Sequence, residues 1–288
     1  MKLADYPALY IAADTASSKA QKRFFAALAG NLVALTCAAA ATLLIAFYPP
    51  SAPLQLLTLL ASLGFTVYLE TKQPQRLWYG ARALAESIKT MTWRYAMRAE
   101  PYEGDDGKAK KRFVASLRKI VSVNREISIH AIALDTADQV SEAMTRIRAL
   151  PLVDRIERYK DNRIADQHAW YVRKSQQIAR AARLWFYLLV ALNAIAIALC
   201  IARIYWPQGE RWPTDIFIIA AGAVLAWMQT NRYQELATSY TLTAHEIGIL
   251  RVEFLEDMDE RKFSRFVADA ENAFSREHTQ WHARREAG

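Results

Sequence analysis

The chain has 288 residues, of which 53% are hydrophobic, and carries 37 Lys or Arg against 29 Asp or Glu, a net charge of +8. That length allows one or two domains. No charged residue occurs from Phe24 to Leu69, a run of 46, which excludes an ordinary half-buried helix of a soluble core, and two cysteines, Cys37 and Cys200, exclude a disulfide framework or a cysteine metal site.

In chain order, Asp5–Ile11 reads as an irregular lead-in containing Pro7, with helix expected from about Asp14. A bilayer core about 30 Å thick needs about 20 helical residues. The stretch 24–48 exceeds that and is expected to tilt or extend beyond the membrane. It turns at YPPSAP and returns over 54–70. The basic cluster Lys19, Lys22 and Arg23 comes late, and Tyr48-Pro49-Pro50 is no cleavage site, so the pattern is that of a span and not of a signal peptide.

Pro74 can start a helix at little cost. From Leu77 the residues Leu84, Ile88, Met91 and Tyr95 recur at helical spacing, and the helix should end before Pro101. Pro101–Lys110, with two glycines and clustered charge, reads as a loop. Lys111–Arg125 reads as a helix with an apolar stripe of Phe113, Val114, Leu117, Ile120 and Val121, bordered by Lys111, Arg118 and Arg125. A further helix fits Thr136–Ala149, with Thr136 as its cap. Pro151 begins an unbroken pattern through Tyr159 and Gln167 into a third span at 184–205. As one helix it would be about 80 Å long and project into the cytoplasm. After WPQGERWP a fourth, shorter span covers 214–230, and the helix continues through Tyr233, Tyr240 and His245. The tail from Glu260 is amphipathic, with Phe263, Phe266, Val267, Ala270 and Phe274 on one face. The expected fold is all-α: four transmembrane helices as two parallel-repeat hairpins, with a long-helix cytoplasmic domain. The expected domains are 1–110, a linker at 111–150, and 151–288.

Basic residues flank the spans on one side: Lys19, Lys22 and Arg23, then Lys72 and Arg76, then Arg173, Lys174, Arg180 and Arg183, then Arg232. The two turns carry no net charge. Positive-inside logic therefore puts both termini and the middle region in the cytoplasm. Trp185, Tyr205, Trp206 and Trp212 suit interfacial positions. Thr71–Arg183 is net +10, whereas Asn231–Gly288 is net −3. The basic middle can meet anionic headgroups, a phosphate-rich ligand, or the acidic tail.

The halves repeat one architecture at an offset of about 159, which would pair Leu69 with Met228 and Glu86 with Glu246. Such a repeat is parallel, whereas many transporters use inverted repeats.

Tyr6-Pro7, Leu9-Tyr10, Ala13-Asp14, Ser17 and Gln21, followed by Trp78, Arg82, Ala85-Glu86, Lys89 and Trp93, resemble the SLATT group, the two-span effector domains associated with SMODS nucleotidyltransferases and SLOG proteins. Tyr159, Arg163, Gln167, Trp170-Tyr171 and Lys174, with Tyr233, Leu236 and Tyr240, resemble a second subtype, so that two units in tandem cover nearly the whole chain. The resemblance implies a bacterial inner-membrane effector of antiphage defence that forms pores. It also implies control by a nucleotide or short oligonucleotide made by a partner nucleotidyltransferase.

Gln55, Thr58, Ser62 and Thr66 fall within about 80° on the second span, and Asn31 and Thr42 share a face of the first. They can line a water path through a homo-oligomer, or bond helix to helix beside the alanine-rich first span. The second hairpin is more apolar. Asn193 is its main exception, and Gly222 and Trp227 read as packing and anchoring positions. Candidate phosphate ligands are Lys108, Lys110, Lys111, Arg112, Arg118 and Lys119, with Arg82, Lys89, Arg94 and Arg98 as a second group. Trp78, Trp93, Tyr95 and Tyr102 are candidates to stack bases. His278 and His282 are four apart, but Thr279 stands where a metalloprotease pattern needs Glu. No metal site, cofactor or catalytic motif is expected, and no enzyme activity. A membrane anchor recruiting a partner enzyme and a small transporter stand as rival readings.

Overall fold

A computed structural model describes residues 1–124, 139–206, 212–252 and 258–286. All regular structure among them is helical. The helices are α1 (Ala8–Phe47), α2 (Ala52–Lys72), α3 (Pro74–Ala96), α4 (Asp106–Val123), α5 (Glu142–Arg148), α6 (Leu152–Tyr159), α7 (Asp166–Tyr205), α8 (Thr214–Asn231), α9 (Tyr233–Val252) and α10 (Glu260–Glu286). A π-helical turn, Lys160–Ala165, joins α6 to α7 without a break.

The apolar runs become helices as expected. Three continuous stretches, Ala8–Ile45, Pro49–Lys72 and Leu152–Tyr205, are long and apolar enough to cross a membrane. α8 has 18 residues and includes Asp215, which places it at the short end of the spanning range.

Several boundaries differ from the sequence reading. α1 begins at Ala8, directly after Pro7, whose carbonyl accepts from the Tyr10 amide at 2.9 Å. The expected loop at 101–110 is half helix, because the Asp105 side chain caps α4 by accepting from the Lys108 amide at 2.8 Å. Thr136 and Arg125 lie outside the described residues. α5 begins at Glu142, capped by Ser141.

The chain divides into two compact units. The first gathers three separated segments: 1–22, 74–168 and 245–288. Here α10 packs along α3, burying Phe263, Val267, Ala270 and Phe274, and α3 also receives α4 and α5. The segment around α6 and the π turn runs on into α7 as one 54-residue stretch, Leu152–Tyr205, and its first part packs into this unit. Tyr159 and Ile164 are fully buried in this unit.

The second unit holds residues 23–73 and 169–244, the four apolar helical stretches and their continuations. Its outer faces carry exposed large apolar side chains, including Leu56, Leu57, Leu60 and Leu63 on α2 and Tyr187, Ile197 and Ile204 on α7. In water such faces would be untenable, whereas lipid accommodates them. Aromatic rings hold the hairpins together at one end: Trp227 packs edge-on to Phe25 at 5.5 Å and against Trp185 at 6.0 Å.

The repeat is visible in the backbone. α2 and α8 each end on a left-handed residue that is not glycine, Gln73 (φ 40°) and Arg232 (φ 48°). These are 159 positions apart, the offset expected from the sequence.

Candidate functional site

Within the second unit, the polar residues of α1 and α2 face each other. Ser62 donates to Asn31 Oδ1 at 2.6 Å and Gln55 Nε2 donates to Thr42 Oγ1 at 2.8 Å. Thr58 and Thr66 bond carbonyls of their own helix, those of Gln55 and Ser62. Next to the Asn31–Ser62 rung, on the side away from the turn, Gly30 lets Phe65 lie on the α1 backbone; a Cβ there would stand 2.5 Å from Phe65 Cζ. Four of the six candidates thus form a seam of two rungs across the hairpin, Asn31 with Ser62 and Thr42 with Gln55, while Thr58 and Thr66 bond their own helix and Thr42 and Thr66 are exposed. Each hydroxyl named has a partner, as apolar surroundings require. In the second hairpin Asn193 bonds the Leu189 carbonyl at 2.8 Å. Within the chain, a Cβ at Gly222 would meet nothing within 4 Å among the described residues.

In the first unit, the ten candidate cations separate into two kinds. Arg82 pairs with Asp14 at 3.3 Å and Glu86 at 2.8 Å, and Lys89 reaches the other Glu86 oxygen at 3.7 Å. Burial pushes the Lys89 ammonium below the usual lysine range, against the opposing pull of Glu86. Arg94 donates to Asn272 at 2.6 Å and to the Ala268 carbonyl at 3.0 Å. Arg98 donates to the Arg148 carbonyl at 2.9 Å and pairs with Asp106 at 3.3 Å. All four have partners within the unit: Arg82, Arg94 and Arg98 reach other segments, and Lys89 pairs within α3. The α4 cations Lys108, Lys110, Lys111, Arg112, Arg118 and Lys119 are all exposed. Of these, Arg112 donates to the Pro101 carbonyl at 2.6 Å.

The base-stacking expectation is corrected for three of four aromatics. Trp93, Tyr95 and Tyr102 are buried, and Tyr95 and Tyr102 pack on Phe113 beneath α4. Burial raises the Tyr95 and Tyr102 phenols above their ordinary range. Trp78 keeps partial exposure and stacks on Tyr79 at 4.4 Å.

The sequence reading missed a buried ionic core. Glu271, fully buried on α10, accepts two hydrogen bonds from Arg163 at 2.7 and 2.6 Å and one from the Tyr159 hydroxyl at 3.1 Å. Arg163 lies on the π turn and is 2% exposed. Arg148 donates to Asp106 and to the Tyr95 and Gly104 carbonyls, while Arg155 donates to the Met97 and Leu150 carbonyls and to Glu260. The available signal was arginines at near-heptad spacing (148, 155, 163) on the stripe that also carries Met144, Ile147 and Tyr159.

The side chains of His278 and His282 lie outside the described residues. Among the described residues no group of His, Cys, Asp and Glu is arranged to hold a metal ion.

The motif residues noted in the sequence converge. Trp93 Nε1 donates to the Tyr6 hydroxyl at 3.0 Å, Ser17 to the Trp78 carbonyl at 3.2 Å, and Asp14 meets Arg82. Trp170 and Tyr171 both pack on Tyr240, at 5.6 and 5.5 Å. Comparison with family models agrees with these two clusters. The model described as SMODS and SLOG-associating 2TM effector domain 3 matches residues 7–156. The model described as SMODS and SLOG-associating 2TM effector domain 1 matches residues 159–281. No curated protein and no solved structure matches the chain.

Proposed function

The chain belongs to the SLATT family, as two 2TM effector units in tandem, and from that premise we propose that it is an oligomeric inner-membrane effector of bacterial defence, forming a pore. SLATT is a family of membrane effector domains, not a known enzyme family, and its description ties it to SMODS and SLOG partners. In the proposed arrangement α1, α2, α7 and α8 all span the bilayer and both termini are cytoplasmic. A nucleotide-derived ligand from a partner nucleotidyltransferase, bound elsewhere in the basic cytoplasmic region than the α4 face, opens the pore or holds it closed.

The observation that carries this reading is the hairpin seam. A single chain presents leucines outward from α2 and pairs polar groups between α1 and α2, the part-buried Ser62 to Asn31 and the more exposed Gln55 to Thr42. We read that arrangement as a closed state. Parting of the seam in an oligomer would exchange these partners for water and give a polar lining. The ligand need only bind one of the two states better to shift the population.

The same hydrogen bonds favour a second reading, a non-conducting anchor in which the seam only glues two helices. Current through protein reconstituted in planar bilayers separates the two. Leucine at Gln55, Thr58 and Ser62 changes conductance in the first case and only assembly in the second.

A further inference from the structure

We infer that the exposed basic face of α4 is a docking site for anionic lipid headgroups. The inference rests on the chain's place in a membrane and does not require that it conduct.

α4 contains six cations and one acid, Asp106. Taking 100° per residue, Lys108, Lys111, Arg112, Arg118 and Lys119 fall within an arc of about 120°, over about 16 Å of helix. The opposite side is the buried one, with Ala109, Phe113 and Leu117. The acids at this end of the helix are engaged elsewhere: Asp106 with Arg148 and Arg98, Asp105 as the cap, and Glu103 with Ser264. The described part of the tail helix, α10, is packed on α3.

Three features choose a lipid surface over a discrete soluble ligand. The face is one side of a single helix, mostly lysine point charges without the fork geometry that selects one phosphate group. The neighbouring aromatics that would read a base, Tyr95 and Tyr102, lie beneath the helix. Val123, at the end of the helix beside this face, is 75% exposed, an apolar tip suited to the headgroup boundary. Membrane is always within reach of a chain with three helices able to span it. A cation near an anionic leaflet shifts the docked-to-undocked ratio by about fivefold, so five acting together hold the face down firmly, and salt releases it.

The test uses the full chain with Cys37 and Cys200 replaced by alanine and one fluorophore at Ala115→Cys, an exposed position central to the basic face. The protein is reconstituted in phosphatidylcholine vesicles, or in vesicles with a third phosphatidylglycerol, each doped with a headgroup-linked quencher. Insertion is verified separately by flotation after alkaline washing. The expected result is strong quenching in the anionic vesicles only, reversed by high salt and lost in Lys111→Glu/Arg118→Glu with helicity unchanged. Equal quenching in both vesicles, or none in anionic vesicles holding inserted protein, overturns the proposal. Protection of the label in neutral vesicles by a short oligonucleotide, with no quenching in anionic ones, also overturns it and assigns the face to a soluble phosphate ligand.

Discussion

Replacing Glu271 by alanine should destabilise the first unit severely. The carboxylate is fully buried and satisfies two Arg163 nitrogens and the Tyr159 hydroxyl, and Arg163 is itself 2% exposed. Removing one partner of a buried pair leaves the other charge unpaired, at a cost of about 3–5 kcal/mol. The stranded Tyr159 hydroxyl adds about 1 kcal/mol. The pair joins α10 to the π turn, more than a hundred residues apart in sequence. Loss should therefore appear first as release of α10 from α3. The assay is limited proteolysis of the detergent-solubilised full chain, read at the C-terminal helix, together with denaturant unfolding. Removing both charges as Arg163→Met/Glu271→Leu should recover most of the loss, because well-packed apolar replacements of a buried pair are often neutral or better. Two outcomes refute the reasoning: a Glu271→Ala loss below about 1 kcal/mol, or a double variant no better than the single.

Gly30→Ala should strain the hairpin, since the new methyl would overlap the Phe65 ring. The expected cost is about 1–3 kcal/mol, read by thermal unfolding, with partial rescue by Phe65→Leu. Lys89 binds its proton less tightly folded than unfolded, because burial pushes its pKa down. Between that lowered value and about 10.5 the unfolded chain holds more protons, so stability gains from Lys89 as pH rises. Unfolding free energies of the natural chain minus those of Lys89→Met should climb with pH through this window, and a flat difference would contradict the assignment. At the repeated left-handed positions, Gln73→Gly should raise stability by about 1 kcal/mol and Gln73→Val should lower it, compared by melting temperature in the same detergent.

Much of the fold was legible because membrane spans have local signatures. The charge-free run from Phe24 to Leu69 and the Pro-containing turn gave α1 and α2, and the 159-residue offset reappears in the backbone at Gln73 and Arg232. Helix starts were less legible. Asp105 reads as one more charge in a loop until its side chain is seen to cap α4. The buried ionic core was illegible for a deeper reason. Pairings such as Arg163 with Glu271 and Arg94 with Asn272 are made by tertiary contact across 108 and 178 residues, and an arginine carries no mark in the sequence of whether it ends in water or in the core. The ten candidate cations look alike in sequence for the same reason. Only packing distinguishes Arg82, Lys89, Arg94 and Arg98, held by internal partners, from the open face of α4.

The central claim is that the paired seam of the first hairpin is the closed form of a conducting path. Single-channel recording of the full chain in planar bilayers tests it most directly, comparing the natural sequence with Gln55→Leu/Ser62→Leu across a series of nucleotide ligands. The account predicts discrete conductance steps whose amplitude or open fraction falls in the variant. Absence of conductance in every nucleotide condition, with protein verified as inserted and oligomeric, would contradict it.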